Sequence, residues 1–256
     1  ILVNNVAQTT FLKRYGADAL PAVFMLEAMI TFVFAGFVSL LMERYRTIRV
    51  FTGLLLFYGI CMAIIRMMIP MGVDLVYPIL YILKSQAVGI LPILYWDILN
   101  DMFTTQQSKR LYTLISAGGI LGTTFGSLMT RKLSIWVGTD NILLIFIGGM
   151  VLAAVLNELT EKVVGTPLQF RIKQSKEKPQ RNQLAVLKEF IHHAKQSTLI
   201  KYMILLLAIP NMILPLLDYQ FNVLVDNYFA SEALTLQFFG IFRGVSNALM
   251  FALLMG

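Results

Sequence analysis

Of the 256 residues, 57% are hydrophobic and 14% are charged, and the mean hydropathy is +0.72. Soluble chains are about a quarter charged, and a soluble fold of this length could not bury so many apolar runs of about 20 residues. The composition therefore predicts an integral membrane protein and excludes a disordered chain, a nucleic-acid-binding protein and a disulfide scaffold. The net charge of +7 does not alter this, because in a membrane protein the positions of Lys and Arg matter more than their sum.

Apolar runs separated by charged breaks predict eight helical crossings or part-crossings. The runs are too long and continuous for the alternating strands of an outer-membrane barrel. Six precede a polar stretch at 158–198 and two follow it. Their approximate bounds are 1–12 (a partial span), 20–42, 50–70, 75–103, 111–130, 134–157, 199–226 and 233–256.

The layout favours an all-α membrane protein of the kind built from two six-helix halves, here truncated. We expect a six-helix N-terminal bundle over 1–157, a cytoplasmic connecting loop over 158–198, and the first two helices of a C-terminal bundle over 199–256. The chain lacks an initiator Met and stops inside an apolar run, which indicates a fragment with four further helices beyond it. Helical spacing in the loop predicts an amphipathic surface helix with an apolar face of Leu184, Leu187, Phe190, Ile191 and Ala194.

The distribution of Lys and Arg predicts the orientation. The loops at 43–49, 104–110 and 158–201 hold 14 basic residues, and the opposite set holds four. By the positive-inside bias the first set is cytoplasmic. We expect a multi-pass protein of the bacterial inner (plasma) membrane.

Three ionisable residues lie well inside predicted spans, where charge is costly and usually faces a partner or a watery path. Glu27 lies about two turns into its span, and Lys84 and Arg243 lie about ten residues into theirs. Two cations at mid-depth predict an anionic substrate. A buried Glu27–Lys84 pair, or an Arg243 that caps a neighbouring helix, are the structural alternatives. Arg66, near the outer end of its span, is expected to snorkel to the interface.

The seventh span carries a polar stripe beside two prolines, formed by Asn211, Pro215, Asp218 and Asn222. Kinked helices free backbone groups where they line a cavity, so the stripe indicates a gate or binding surface. Hydrogen bonding between helices is the alternative. A similar stripe in the first span, expected to face the same cavity, consists of Asn4, Asn5 and Gln8.

Small residues at four-residue intervals indicate close helix packing. The fifth span carries Gly118, Gly122 and Gly126, and the eighth carries Gly240 and Gly244. Packing is the expected role of all five.

No pattern indicates catalysis, so we expect no enzyme, no cofactor and no metal site. The only histidines, His192 and His193, are adjacent on the polar face of the predicted amphipathic helix. Two histidines that bind a metal ion from one helix need i, i+4 spacing and further ligands, so His192 and His193 are expected to be solvated.

The most specific stretch is the junction of the fourth and fifth spans, which carries Trp96, Asn100, Asp101, Ser108, Lys109, Arg110, Leu111, Tyr112 and Gly118. Here the chain resembles the ATP/ADP translocase family and its uncharacterised bacterial relatives within the major facilitator superfamily. Weaker similarity, including Gly16-Ala17 and Leu20-Pro21, extends over most of the chain. The resemblance implies a major-facilitator-like helical bundle, truncated in this chain, from a twelve-helix carrier that exchanges nucleotides.

Charged residues at the cytoplasmic ends of the spans suggest an inner gate. Asp101 can pair with Lys109 and Arg110 across the turn, and a pair that forms in only one state would bias alternating access. A surface salt bridge with almost no effect is the alternative. A second cluster of this kind consists of Glu43, Arg44 and Arg49.

The sequence as a whole favours a secondary transporter that works by alternating access on an anionic solute such as ATP or ADP. Two alternatives remain. One is a carrier of the same fold for another solute, and the other is a degenerate carrier that serves as membrane anchor or sensor for a soluble domain beyond the segment. The partners expected are the lipid bilayer and the solute. The candidate substrate-binding residues are Glu27, Lys84, Asn211, Asp218, Asn222 and Arg243.

Overall fold

The computed structural model describes residues 1–175 and 197–255, and within these ranges it contains helices and no strand. The predicted amphipathic helix and the His192–His193 pair lie outside these ranges. The helices are α1 (Leu2–Tyr15), α2 (Leu20–Arg44), α3 (Thr47–Met68), α4 (Val76–Met102), α5 (Thr105–Trp136), α6 (Ile142–Ser175), α7 (Thr198–Tyr228) and α8 (Glu232–Met255), with short 3₁₀ turns at Ala17–Ala19 and Ile69–Met71.

Helices α2 to α8 are long and apolar enough to cross a bilayer, which gives seven candidate spans among the described residues. The prediction of a helical, multi-pass integral membrane protein is thereby confirmed. Helix α1 has 14 residues, fewer than the roughly 20 that a full crossing needs.

The predicted break between the fifth and sixth spans was wrong. Helix α5 starts early because the Thr104 hydroxyl accepts from the Gln107 backbone N–H while the Gln107 side chain accepts from the Thr104 N–H. It then runs through Arg131 to Trp136, so the span expected to begin at residue 134 begins at Ile142 instead. The turn between them contains Gly138 at φ +87°, a backbone conformation that favours glycine.

Helix α1 lies at the centre of the bundle, in contact with α4, α5, α6, α7 and α8. Its residues Ala7 and Phe11 are completely buried. The first joins a core cluster with α3, α4 and α6, and the second joins one with α2, α4, α7 and α8. The short first helix therefore connects the helices before and after the 158–198 stretch.

Helix α8 packs closely along α5 at two of the predicted packing glycines. A Cβ added at Gly240 would lie 2.9 Å from the backbone oxygen of Ser127, and one at Gly244 would lie 2.6 Å from Cδ2 of Leu128. The expected packing role is confirmed for these two. A Cβ at Gly118 or Gly122 would meet no described atom within 4 Å outside its own helix, so neither marks a close contact here.

Candidate functional site

A cavity of about 690 Å³ opens between α2, α4 and α7. Its volume is within the range of about 300–1,000 Å³ typical of small-molecule sites. Aromatic rings of Phe24, Phe32 and Tyr81 form part of its wall. The structure also brings into this wall four of the six candidate substrate-binding residues, namely Glu27, Lys84, Asn211 and Asp218.

Lys84 is held in the cavity wall by neutral groups. Its Nζ donates to Oδ1 of Asn4 at 2.8 Å and lies 4.0 Å from the centre of the Tyr81 ring, and the residue is only 8% exposed. The expected alternative, a Glu27–Lys84 ion pair, does not form: neither of these two described side chains takes part in an ion pair, unlike Lys13 with Asp226 and Arg46 with Glu161. The ammonium group thus has hydrogen-bond and cation–π partners but no paired counter-charge.

The position of Lys84 follows from the pattern of α4. Tyr81 and Lys84 are three residues apart and Ser85 follows at the fourth, so all three lie on one helix face. Tyr81 is fixed by the ring of Phe11, whose centroid lies 5.1 Å away. This tilted ring contact with α1 places the Tyr81 ring where it can cover the ammonium group.

Arg243 lies in a polar network beside the cavity rather than in its wall. Its two terminal nitrogens donate to Oδ1 of Asn5 and Oε1 of Gln8, and its guanidinium carbon lies 5.1 Å from the centre of the Phe239 ring. Both amides belong to α1. Arg243 therefore bonds to side chains, and the alternative of a helix cap is not what the structure shows.

The network continues from α1 to α5 and α7. Gln8 donates to Oδ1 of Asn222 at 2.5 Å, and Asn5 donates to the hydroxyl of Thr130 at 3.1 Å. Gln8, Asn5 and Asn222 are at most 2% exposed. The α1 polar stripe thus joins both mid-depth cations, since Asn4 binds Lys84 and its neighbours bind Arg243.

The polar stripe of α7 divides between two environments. Asn211, Pro215 and Asp218 line the cavity, while Asn222 is buried against Gln8. Pro215 has no N–H, so the carbonyl of Asn211 lacks its helical hydrogen bond at the cavity wall. Kinking residues and a cavity therefore coincide, as the sequence predicts.

The predicted inner-gate residues lie near the two turns that join α4 to α5 and α2 to α3. Lys109 and Arg110 are exposed, as are Glu43 and Arg44, and Asp101 is half-buried. Their gating role stays a prediction.

Other contacts that sequence reasoning missed hold this end of the bundle. The hydroxyl of Tyr112 donates to Oδ1 of Asn100 at 2.6 Å, which joins α5 to α4. Arg46, at the start of α3, forms an ion pair with Glu161 of α6. The charged residues at 158–162 could have indicated an ion pair at this end of α6, but the sequence does not show which helix they face.

At the opposite end, Lys13 joins α1 to α7. Its Nζ contacts Oδ1 of Asp226 at 2.6 Å and donates to the Phe229 carbonyl at 2.5 Å, beyond the last residue of α7. Arg66, near the end of α3, donates to Oδ1 of Asn141 at 3.1 and 2.5 Å, and its expected snorkelling to the interface stays a prediction.

Seven candidate membrane spans among the described residues, three of which line a cavity that carries charged side chains, define a multi-pass membrane protein with a site of solute size. The model of the TLC ATP/ADP transporter family matches residues 22–255, and the chain belongs to that family. The family resemblance seen at the junction of α4 and α5 is thereby confirmed. Searches among curated proteins and among solved structures gave no match.

Proposed function

We propose that the protein is a secondary transporter for nucleotides, of the ATP/ADP exchange type, in the bacterial inner membrane. Residues 1–157 and 199–256 would belong to two major-facilitator-like halves joined by the 158–198 stretch. The family membership supports the substrate class. The observation that carries the proposal is the ammonium group of Lys84, which lies in the cavity wall with only neutral partners.

The cavity suits a molecule with one anionic end and one neutral, aromatic end. Phosphate oxygens can bind the Lys84 ammonium group as charge-assisted hydrogen-bond acceptors. A planar base can stack on the rings of Phe24 or Phe32. Glu27 and Asp218 can accept hydrogen bonds from amino and hydroxyl groups, and their charge penalises a solute that is anionic throughout.

Asn211, also in the cavity wall, supplies an amide for polar contacts with the solute. We assign Arg243 and Asn222 a positioning role, because both bind Gln8 of α1, the helix whose Asn4 holds Lys84. Alternating access would require these contacts to differ between the inward and outward states.

At the cytoplasmic end, the exposed charges near the two turns are the candidates for the inner gate. A contact there would bias one state only if it forms in that state and opens in the other. The residues proposed for this role are Glu43, Arg44, Asp101, Lys109 and Arg110.

The test is ATP binding to the purified protein and to Lys84→Gln, by equilibrium titration. Loss of one charge-assisted contact should weaken binding about tenfold or more. Lys201→Gln, which removes an exposed cation at the start of α7, is the matched control and should bind like the unmodified protein. Equal affinity of Lys84→Gln and the unmodified protein would remove Lys84 from the site.

Competition experiments with adenosine and inorganic phosphate distinguish this proposal from the transport of another solute. Both ends of the nucleotide contribute on our account, so each alone should compete much more weakly than ATP. Competition by neutral sugars, with none by ATP, would contradict the proposal.

A further inference from the structure

A second concave surface lies away from the charged cavity, between α2 and α3. This groove, about 350 Å³ in volume, is lined mainly by apolar side chains and ends at the 43–49 turn. Arg49 and Tyr45 lie at that end. The apolar lining consists of Phe34, Phe37, Leu41, Val50, Leu54 and Phe57, with Gly53 on the same wall.

The groove has the length of one leaflet. The α2 wall runs from Phe34 to Tyr45, which are eleven residues apart. At a rise of about 1.5 Å per residue, this wall is about 17 Å long. Half of a hydrocarbon core about 30 Å thick is about 15 Å. A single acyl chain extending from the interface toward mid-membrane therefore fits along the groove.

The polar end of the groove has a positive charge available for a ligand. The Arg49 side chain has no hydrogen bond or ion pair to any other residue in the part of the chain that the structure describes. Its neighbour Arg46 differs, because it is paired with Glu161. Tyr45, 56% exposed at the same end, has the amphipathic ring typical of the membrane interface.

We propose that this groove binds one anionic phospholipid, with its phosphate at Arg49 and an acyl chain along α2 and α3. Basic pockets between helices at the cytoplasmic surface recognise anionic headgroups, and the excess of Lys and Arg predicts that the 43–49 turn lies on that side. Gly53 leaves the groove open, because a Cβ added there would meet no atom within 4 Å.

Native mass spectrometry of the delipidated protein tests this by titration with phosphatidylglycerol and phosphatidylcholine of identical acyl chains. Phosphatidylglycerol should bind about fivefold more tightly, the contribution typical of one interfacial Arg. Arg49→Gln should reduce its affinity to that of phosphatidylcholine. Gly53→Leu should weaken the binding of both lipids, because the Leu side chain fills the groove. The substitution should not destabilise α3, since Leu has a higher helix propensity than Gly.

Two matched variants serve as controls. Lys201→Gln removes another exposed cation, and Gly148→Leu fills open space on α6, so neither should change binding. Circular dichroism should show unchanged helix content in all four variants.

Three results would overturn the proposal. Equal binding of the two lipids, with no effect of Arg49→Gln or Gly53→Leu, would mean that only non-specific annular lipid is present. Displacement of phosphatidylglycerol by an equal concentration of inorganic phosphate would indicate a simple anion site. A protein dimer that Gly53→Leu dissociates, with lipid binding unchanged, would assign the groove to a second copy of the chain.

Discussion

Replacement of Gly240 by Ala should measurably weaken the contact between α8 and α5. The new methyl group would lie 2.9 Å from the Ser127 backbone oxygen and 3.0 Å from Cβ of Thr130. Neither atom can move without displacing α5, so the overpacking should cost about 1–3 kcal/mol. Because two atoms of α5 are met at 3.0 Å or less, we expect the upper part of that range, about 2–3 kcal/mol, and the higher helix propensity of Ala returns about 1 kcal/mol, which leaves a net loss of about 1–2 kcal/mol.

Gly244→Ala provides a graded comparison on the same helix face. Its methyl group would meet Cδ2 and Cγ of Leu128 at 2.6 and 2.9 Å, and those side-chain atoms can rotate away. The loss should therefore be smaller than at Gly240. Gly118→Ala is the control, because open space surrounds that position and only the gain in helix propensity remains.

Thermal unfolding in detergent should rank the three variants. A loss of about 1–2 kcal/mol corresponds to about 2–8 °C in apparent Tm for a chain of this size. We expect the largest decrease for Gly240→Ala, a smaller one for Gly244→Ala, and none for Gly118→Ala. An unchanged Tm for Gly240→Ala, or an equal decrease at Gly118, would refute the close packing of α8 on α5.

Three further substitutions test separate contacts by the same melting assay. Gln8→Leu removes an acceptor of Arg243 and the donor to Asn222, so the Tm should fall by the equivalent of about 1–3 kcal/mol, and an unchanged Tm would contradict the network. Tyr58→Phe deletes a buried hydroxyl that has no hydrogen-bond partner among the described residues, so the Tm should stay constant or rise, and a marked decrease would reveal a partner. Lys13→Met should lower the Tm by the equivalent of about 1 kcal/mol and speed hydrogen exchange near Asp226; unchanged exchange would argue against this outer contact.

Hydropathy was sufficient to predict the eight long helices of the described residues and most of their bounds, because seven of the eight apolar runs are long enough to span the bilayer. It failed at the junction of α5 and α6, where the charged residues Arg131 and Lys132 lie within α5. The helix ends there at the turn containing Gly138, and an apolar-run count does not detect such a local backbone signal.

The candidate site was predictable in its components and less so in its pairings. Lys84 and Arg243 could be selected as candidates because a charged residue inside an apolar span is energetically costly and usually faces a partner or a watery path. Their actual partners, Asn4 for Lys84 and Asn5 with Gln8 for Arg243, depend on where α1 packs between the other helices. Helical periodicity gives the face of each helix but not its neighbour.

The most direct test of the central claim is uptake of labelled ATP by the protein in proteoliposomes loaded with ADP, with phosphate, or with buffer alone. The account predicts uptake only with ADP inside, loss of that uptake in Lys84→Gln, and normal uptake in Lys201→Gln. Folded protein that neither binds nor takes up ATP under any of the three loading conditions would contradict nucleotide exchange.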